Sequence, residues 1–287
     1  MAARGHRTRY YPSPLSRRGE QFPQAASDAI LVLTELQYRI LKRIKPVTQR
    51  PEVLYSENGK LAALLGDSVF AEAKGKTVLD FGCGNGLESI ELARRGAARV
   101  LGIDIRENAV ERARHNARLA GVHDICKFGV EIHEKVDLIV SIDCFEHFSD
   151  PAAILTEMCM LLKPGGAVFV SFGPTWYHPF GGHLFSVFPW AHLIFSEEAL
   201  ICWRNDIRTD GATRFSEVEG GLNQMTIRRF EHLVRGSSFR IDFLEAAPIR
   251  AFRFIHNRLT REWTTSIVRC KLVKKVRTAQ RSLNAVK

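Results

Sequence analysis

The stretch Val78-Leu79-Asp80-Phe81-Gly82-Cys83-Gly84-Asn85-Gly86 determines the fold of this chain. A short apolar run ends at an acid, three glycines follow at alternate positions, and a helical pattern begins at Leu87. Glycine lets the backbone approach a ligand with no Cβ in the way. The first turn of the following helix adds N–H groups without intrahelical partners, which attract polar or anionic ligands. The stretch therefore predicts a strand, a ligand-binding turn and a helix.

Strand and helix patterns alternate on the C-terminal side of this stretch. The predicted strands are residues 77–81, 99–104, 125–130, 136–142 and 167–172. Asp150 followed by Pro151 predicts the start of the helix between the last two, because these residue types favour the N-cap and first helical positions. Alternation with short connections predicts a parallel sheet covered by helices on both faces. Further strands are predicted at 239–246 and 263–273.

The remaining sequence predicts additions to this domain, which is placed at residues 75–287. Residues 1–24 are rich in arginine and proline and predict a disordered basic arm. Residues 25–74 show helical spacing and predict a helical N-terminal lid, with plain scaffold as the alternative. Residues 173–221 interrupt the alternation of strands and helices and predict an inserted cap, called the insertion below. An insertion of this length is usually functional or disordered, and its apolar residues argue against disorder.

Composition limits the class of protein and its partners. The formal net charge is +10 and the isoelectric point is near 9.5, which could attract nucleic acid, an anionic metabolite or a membrane surface. The excess of positive charge lies mainly at the two ends, so solvated tails are the favoured interpretation. No apolar run approaches the roughly 20 residues of a membrane-spanning helix. The six cysteines lack metal-ligand spacing and fit a reducing cytoplasm.

Residues 75–175, together with 226–273, resemble a class I S-adenosylmethionine-dependent methyltransferase. That resemblance implies an α/β fold: a Rossmann-like, doubly wound seven-stranded sheet, mostly parallel with an antiparallel last strand, plus the N-terminal helices and the inserted cap. It also implies that S-adenosyl-L-methionine is the cofactor. The expected cofactor-binding residues are Asp80, Phe81, Gly82, Cys83, Gly84, Gly86, Asp104, Ile105, Glu131 and Asp143.

Asp104 is the second anchor of this resemblance. It ends the second predicted strand, where a carboxylate can accept hydrogen bonds from both hydroxyls of a ribose. Nicotinamide-binding folds use the same arrangement. The acid Asp80 at the end of the first strand and the G-x-G-x-G spacing favour S-adenosylmethionine over a dinucleotide, which usually has G-x-G-x-x-G.

Residues that handle the methyl acceptor are expected after strand four and in the insertion. The candidates are His147, Tyr177, His178, His183 and His192. A neutral imidazole could remove a proton from an acceptor hydroxyl, although a structural role is favoured over a catalytic one for each histidine of the insertion. The insertion histidines lack helical metal-pair spacing, so no metal site is expected. The apolar run 184–195 could line an acceptor pocket, dock on a membrane surface or pack on the sheet.

The sequence thus predicts a cytoplasmic enzyme that methylates a small acceptor, partly apolar or anionic, with O- or C-methylation favoured. No Asn/Asp-Pro-Pro-aromatic segment follows strand four, as it does in methyltransferases acting on nucleic-acid bases, so a nucleic-acid acceptor is disfavoured. Two alternatives remain open: an RNA methyltransferase that uses the basic ends to bind phosphates, and a non-catalytic cofactor-binding module. Peripheral membrane contact also remains open.

Overall fold

The computed structural model describes residues 24–44, 59–208, 210–218 and 220–275. The predicted basic arm lies outside the described residues apart from Gln24, the first residue of a helix. The basic C-terminus beyond residue 275 also lies outside them. Within the described ranges, none of the helices combines the length and apolar character needed to cross a bilayer.

The chain is built on one seven-stranded sheet, as predicted. Its strands are β1 Thr77–Phe81, β2 Arg99–Ile103, β3 Cys126–Gly129, β4 Val136–Ile142, β5 Leu162–Phe172, β6 Phe239–Pro248 and β7 Thr265–Lys274. Their order across the sheet is β3-β2-β1-β4-β5-β7-β6. The first five strands pair in parallel, and β7 runs antiparallel to both of its neighbours. The Rossmann-like α/β fold with an antiparallel last strand is confirmed.

Helices cover the sheet and form the two additions. They are α1 Gln24–Arg43, α2 Lys60–Leu65, α3 Ser68–Ala73, α4 Leu87–Arg94, α5 Glu107–Leu119, α6 Pro151–Leu161, α7 Ala191–Ile194, α8 Glu197–Asn205, α9 Ile227–Gly236 and α10 Arg261–Thr264. The predicted cap at the start of α6 is confirmed, because the Asp150 carboxylate accepts hydrogen bonds from the N–H groups of Ala152 and Ala153.

Some boundaries differ from the predicted ones for local reasons. β5 begins at Leu162, five residues early, because Leu162 pairs with Val136 across an irregularity in the register. Helix α10 occupies the predicted start of the last strand, so β7 begins at Thr265. Helix α3 was not predicted, since six residues are too few for a helical period to stand out.

Three apolar clusters hold these layers together. One packs α4 and α5 on the first face of the sheet, and a second packs α6 and α9 on the opposite face. The third lies in the insertion and includes Leu41 of α1. Helix α1 therefore shares its core with the insertion. Two polar contacts join the same elements, from the Tyr38 hydroxyl to Asp206 and from the Ser196 N–H to Gln37.

Candidate functional site

The glycine turn after β1, residues 82–86, has the backbone expected of a ligand-binding loop. Gly82, Gly84 and Gly86 all have positive φ, at 86°, 52° and 78°. Residues with a Cβ rarely adopt this backbone conformation. A Cβ on Gly82 would lie 2.4 Å from the Cys144 sulfur. At Gly84 the nearest atom would be a guanidinium nitrogen of Arg106, 4.0 Å away. The Gly84 side of the turn is thus the one that a ligand can approach.

Backbone hydrogen bonds connect this turn to the end of β2. The N–H groups of Gly82 and Cys83 donate to the carbonyl of Ile103. The N–H of Gly84 donates to the carboxylate of Asp104 over 3.0 Å. The glycine turn and Asp104 are therefore in direct contact.

Asp104 carries a charge that its surroundings stabilise. The Arg106 side chain donates to both carboxylate oxygens, each over 3.0 Å, and the Arg106 N–H donates to one of them. Burial alone would raise the pKa of Asp104, but the hydrogen bonds from Arg106 and Gly84 outweigh burial and hold the pKa below its ordinary value. Arg106 was not predicted, although a cation two residues after the acid is a visible signal.

The other predicted residues at this end of β2 are exposed. The Ile105 side chain is 93% exposed directly beside Asp104, so it offers an apolar surface next to the carboxylate. Glu131 lies on the segment after β3, where its carboxylate is 3.4 Å from His133. Phe81 and Cys83, in contrast, are buried.

Asp80, the last acid of β1, is buried beneath the turn. The Ser89 hydroxyl of α4 donates to its carboxylate over 2.6 Å. Burial and the nearby charge of Glu88 raise the pKa of Asp80 to about 7, while Ser89 and Lys60 act in the opposite direction. The side chain thus holds the start of α4 close to the end of β1.

Asp80→Asn is expected to flatten the pH dependence of the unfolding free energy between about pH 4 and pH 7. Because the pKa of Asp80 in the folded chain lies above its ordinary value of 3.8, the folded state binds the extra proton in this window. The Asp80 contribution to stability is therefore present below pH 4 and is lost as the pH rises toward 7. Urea unfolding across this range measures the effect. Asp124→Asn, at an exposed acid, should keep the wild-type profile, and an Asp80→Asn profile equal to wild type would contradict the prediction.

Asp143, at the end of β4, has an unusual backbone and a cationic partner. Its φ is 51°, and its N–H donates to the carbonyl of Ser171 on β5. The Lys60 ammonium of α2 lies 2.7 Å from one carboxylate oxygen of Asp143 and 3.6 Å from Glu88. Lys60 was not predicted, because nothing in a single sequence links it to a residue this far along the chain.

Glu146, His147 and His183 form the second polar group of the site. Glu146 is buried and accepts a hydrogen bond from the Gly173 N–H over 3.1 Å. Burial and the charge of Asp143 raise the pKa of Glu146 to about 8. The Nδ1 atom of His147 lies 2.8 Å from the Gly221 carbonyl, and the ring lies 5.2 Å from that of His183. This group joins the end of β4 to both ends of the insertion.

The other three acceptor candidates lie within the insertion. Both ring nitrogens of His192 are within hydrogen-bonding distance of protein oxygens, at Ser186 Oγ and the Trp176 carbonyl. His178 accepts from the Phe180 N–H, and burial lowers its pKa to about 4. The ring of Tyr177 stacks 4.8 Å from that of Trp263. Their described contacts are with the insertion and the α10 region, rather than with Glu146 or His147.

Much of the run 184–195 is packed, but against α1 and other residues of the insertion rather than on the sheet, as one of the three interpretations expected. Phe185, Val187 and Ala191 are buried in the cluster shared with α1. Leu184 and Ile194 are exposed at 48% and 61%. A cavity of about 710 Å³ lies elsewhere, between α9, β6 and the segment before α10, and its lining includes no residue of the glycine turn.

Comparison with known proteins gives matches centred on this site. A family model described as a methyltransferase domain matches residues 72–174. A ubiquinone biosynthesis O-methyltransferase of Neisseria meningitidis is 41% identical over 108 residues, which is 35% of this chain and 45% of the relative. The corresponding protein of Aeromonas salmonicida is 38% identical over 103 residues, 34% of this chain and 43% of the relative. The chain thus matches less than half the length of these curated relatives.

A solved structure extends the similarity of the fold beyond the matched segment. The crystal structure of SpnF, described as a 4+2 cyclase, superposes with a TM-score of 0.50 at 16% identity. The superposition covers 86% of this chain and 94% of SpnF. At this identity the similarity concerns the fold, which therefore extends over the N-terminal helices or the insertion as well as the sheet.

Proposed function

Because residues 72–174 form a class I S-adenosylmethionine-dependent methyltransferase domain, we propose that the chain methylates a hydroxyl group of a small, partly apolar acceptor. The observation that carries this proposal is the direct contact between the glycine turn and Asp104 at one edge of the sheet. The names of the curated relatives favour O-methylation over C-methylation and suggest an acceptor with an apolar part.

The donor side of the site fits S-adenosylmethionine. The open face of Gly84 admits a ligand close to the backbone, the Asp104 carboxylate can accept from two ribose hydroxyls, and the exposed Ile105 can cover an adenine ring. We expect a bound ribose to replace hydrogen bonds that Arg106 now donates, since the Arg106 side chain is half exposed and can move into solvent. When bound, S-adenosylmethionine supplies a methyl group activated by the sulfonium charge.

The acceptor side is assigned to the end of β4 and to the insertion. Parallel strands β1 and β4 are adjacent, so their carboxyl ends open at the same edge of the sheet. Asp143, Glu146, His147 and His183 are proposed to orient the acceptor hydroxyl there. Alignment of donor and acceptor can lower the activation free energy by up to about 7–11 kcal/mol. Tyr177, His178 and His192 are proposed to shape the insertion.

The described part of the basic C-terminus does not favour the RNA alternative. Lys271 pairs with Glu72 on α3, Lys274 donates to the Leu162 carbonyl, and Lys275 donates to two carbonyls at the end of α9. Lysines bound in this way are poorly placed to neutralise phosphates. The six cysteines are free thiols, which supports the proposed cytoplasmic location because disulfides are rare there.

The full chain is expected to bind S-adenosylhomocysteine with a stoichiometry of one, measured by calorimetric titration. It is also expected to transfer label from S-adenosylmethionine to a hydroxylated component of a metabolite extract, detected by mass spectrometry. No binding at high micromolar ligand would overturn the cofactor assignment. Binding without any labelled product would instead favour a non-catalytic module.

A further inference from the structure

The cavity of about 710 Å³ at the β6 edge of the sheet is separate from the cofactor site. Helix α9, strand β6 and the segment before α10 contribute most of its lining. Four strand spacings separate β6 from β1 across the sheet, roughly 19 Å at the usual distance between neighbouring strands. Small-molecule sites typically have volumes of roughly 300–1,000 Å³. The cavity is therefore large enough for a ligand that does not touch the glycine turn.

The lining of this cavity carries an excess of positive charge. Its only carboxylate is Glu231, whereas five of its side chains are cationic. The five cations are Arg235, Arg240, Arg258, Arg261 and Lys275. They come from α9, β6, the segment before α10, α10 itself and the residue after β7, so the fold brings them together from separate parts of the chain. A cleft lined by one sign of charge concentrates ligands of the opposite sign.

Three of the five cations already have partners within the protein. Arg261 donates to both carboxylate oxygens of Glu231, over 2.8 and 2.7 Å, and so joins α10 to α9. Arg240 lies 3.2 Å from a carboxylate oxygen of Asp242. Lys275 donates to two backbone carbonyls at the end of α9. These contacts stabilise the walls of the cavity and leave the other two cations for a ligand.

Arg235 and Arg258 are those two cations. Within the ranges that the structure describes, neither guanidinium has an ion-pair or hydrogen-bond partner. One belongs to α9 and the other to the segment before α10. A guanidinium presents paired N–H donors in one plane, which match two oxygens of a phosphate group. A phosphate inside the cavity can therefore be bound from two elements of the lining.

Apolar side chains provide a second surface in the same cavity. Val234 and Phe239 are buried in the cluster that packs α9 on the sheet, and Ile241 and Ala246 pack against that cluster. Their positions are fixed by this packing. A bare inorganic anion would leave the apolar surface unused. A ligand that joins a phosphate to an aromatic or aliphatic group would contact both surfaces.

We propose that this cavity binds a small phosphate ester with an apolar or aromatic body. Arg235 and Arg258 bind its phosphate, and the apolar side chains of α9 and β6 contact its body. The site can be occupied together with the cofactor site, because its lining includes no residue of the glycine turn. The competing interpretation is the solvated surface of a basic protein, on which each arginine contributes only its charge.

The test is a titration of the full chain with naphthyl phosphate at fixed ionic strength, followed by the fluorescence of the naphthyl group. Wild type is expected to bind one equivalent. Arg235→Gln and Arg258→Gln should each weaken binding about tenfold, because hydrogen bonds to a charged group are lost. Naphthol and inorganic phosphate should both bind more weakly than naphthyl phosphate, since each can use only one of the two surfaces. Saturating S-adenosylhomocysteine should leave the affinity for naphthyl phosphate unchanged.

Arg250→Gln is the matched control. Arg250 is an exposed arginine between β6 and α10 that does not line the cavity, so the same charge is removed nearby and affinity should stay at the wild-type value. Far-ultraviolet circular dichroism shows whether each variant is folded. Absence of naphthyl phosphate binding by wild type, equal losses in Arg250→Gln and Arg258→Gln, or displacement of the probe by S-adenosylhomocysteine would each overturn the proposal. Binding to phosphatidylglycerol vesicles without binding of naphthyl phosphate would also overturn it, in favour of a membrane surface.

Discussion

Asp104→Asn is expected to weaken the binding of S-adenosylhomocysteine about 10–100-fold. Hydrogen bonds to a charged group contribute about 1.5–3 kcal/mol, and the amide replaces one of the two carboxylate oxygens by a donor that cannot accept from a ribose hydroxyl. In the wild-type chain Arg106 donates to both carboxylate oxygens. Loss of the negative charge would also weaken this contact. Calorimetric titration at fixed pH and salt measures the change in dissociation constant.

Asp67→Asn provides the matched control for this measurement. Asp67 is an exposed acid paired with Arg95, so the same chemical change is made away from the glycine turn, and affinity should stay at the wild-type value. The Gly84 N–H also bonds to Asp104, so the thermal midpoint of each variant is recorded alongside. A folded Asp104→Asn variant with unchanged affinity would refute the ribose-binding role.

Phe230→Ala is expected to lower the unfolding free energy by about 3–5 kcal/mol, as for other truncations of buried aromatic residues. Phe230 on α9 is fully buried. Its ring meets that of Phe145 edge to face at 5.2 Å and lies 4.9 Å from that of Phe172. Removal of the Phe230 ring leaves a cavity between α9 and the ends of β4 and β5. Urea unfolding followed by circular dichroism gives the difference in free energy.

Phe254→Ala is the corresponding surface control, since this ring is 82% exposed and its loss should change stability by less than about 0.5 kcal/mol. Equal losses in the two variants would contradict the packing described for α9. Phe145 immediately precedes Glu146 and His147, so Phe230→Ala is also expected to disturb that polar group.

The sequence was sufficient where a local pattern determines the structure. The mainly apolar runs of β1 and β4 predicted their bounds, because strands buried on both faces are rich in apolar residues. The Asp150 cap was readable because it bonds to residues two and three positions away. Contacts between distant segments could not be predicted from one sequence. Lys60 beside Asp143 and His183 beside His147 depend on the three-dimensional path of the insertion and of α2.

The shared core of α1 and the insertion has a consequence for engineering. The insertion is proposed to select the acceptor, and its apolar cluster includes Leu41 of α1. Two of its residues, Asp206 and Ser196, also form hydrogen bonds with Tyr38 and Gln37 of α1. An insertion transplanted from another enzyme would therefore meet a mismatched partner unless residues 24–44 were exchanged with it. Chimeras of this chain that exchange the insertion should therefore exchange helix α1 with it.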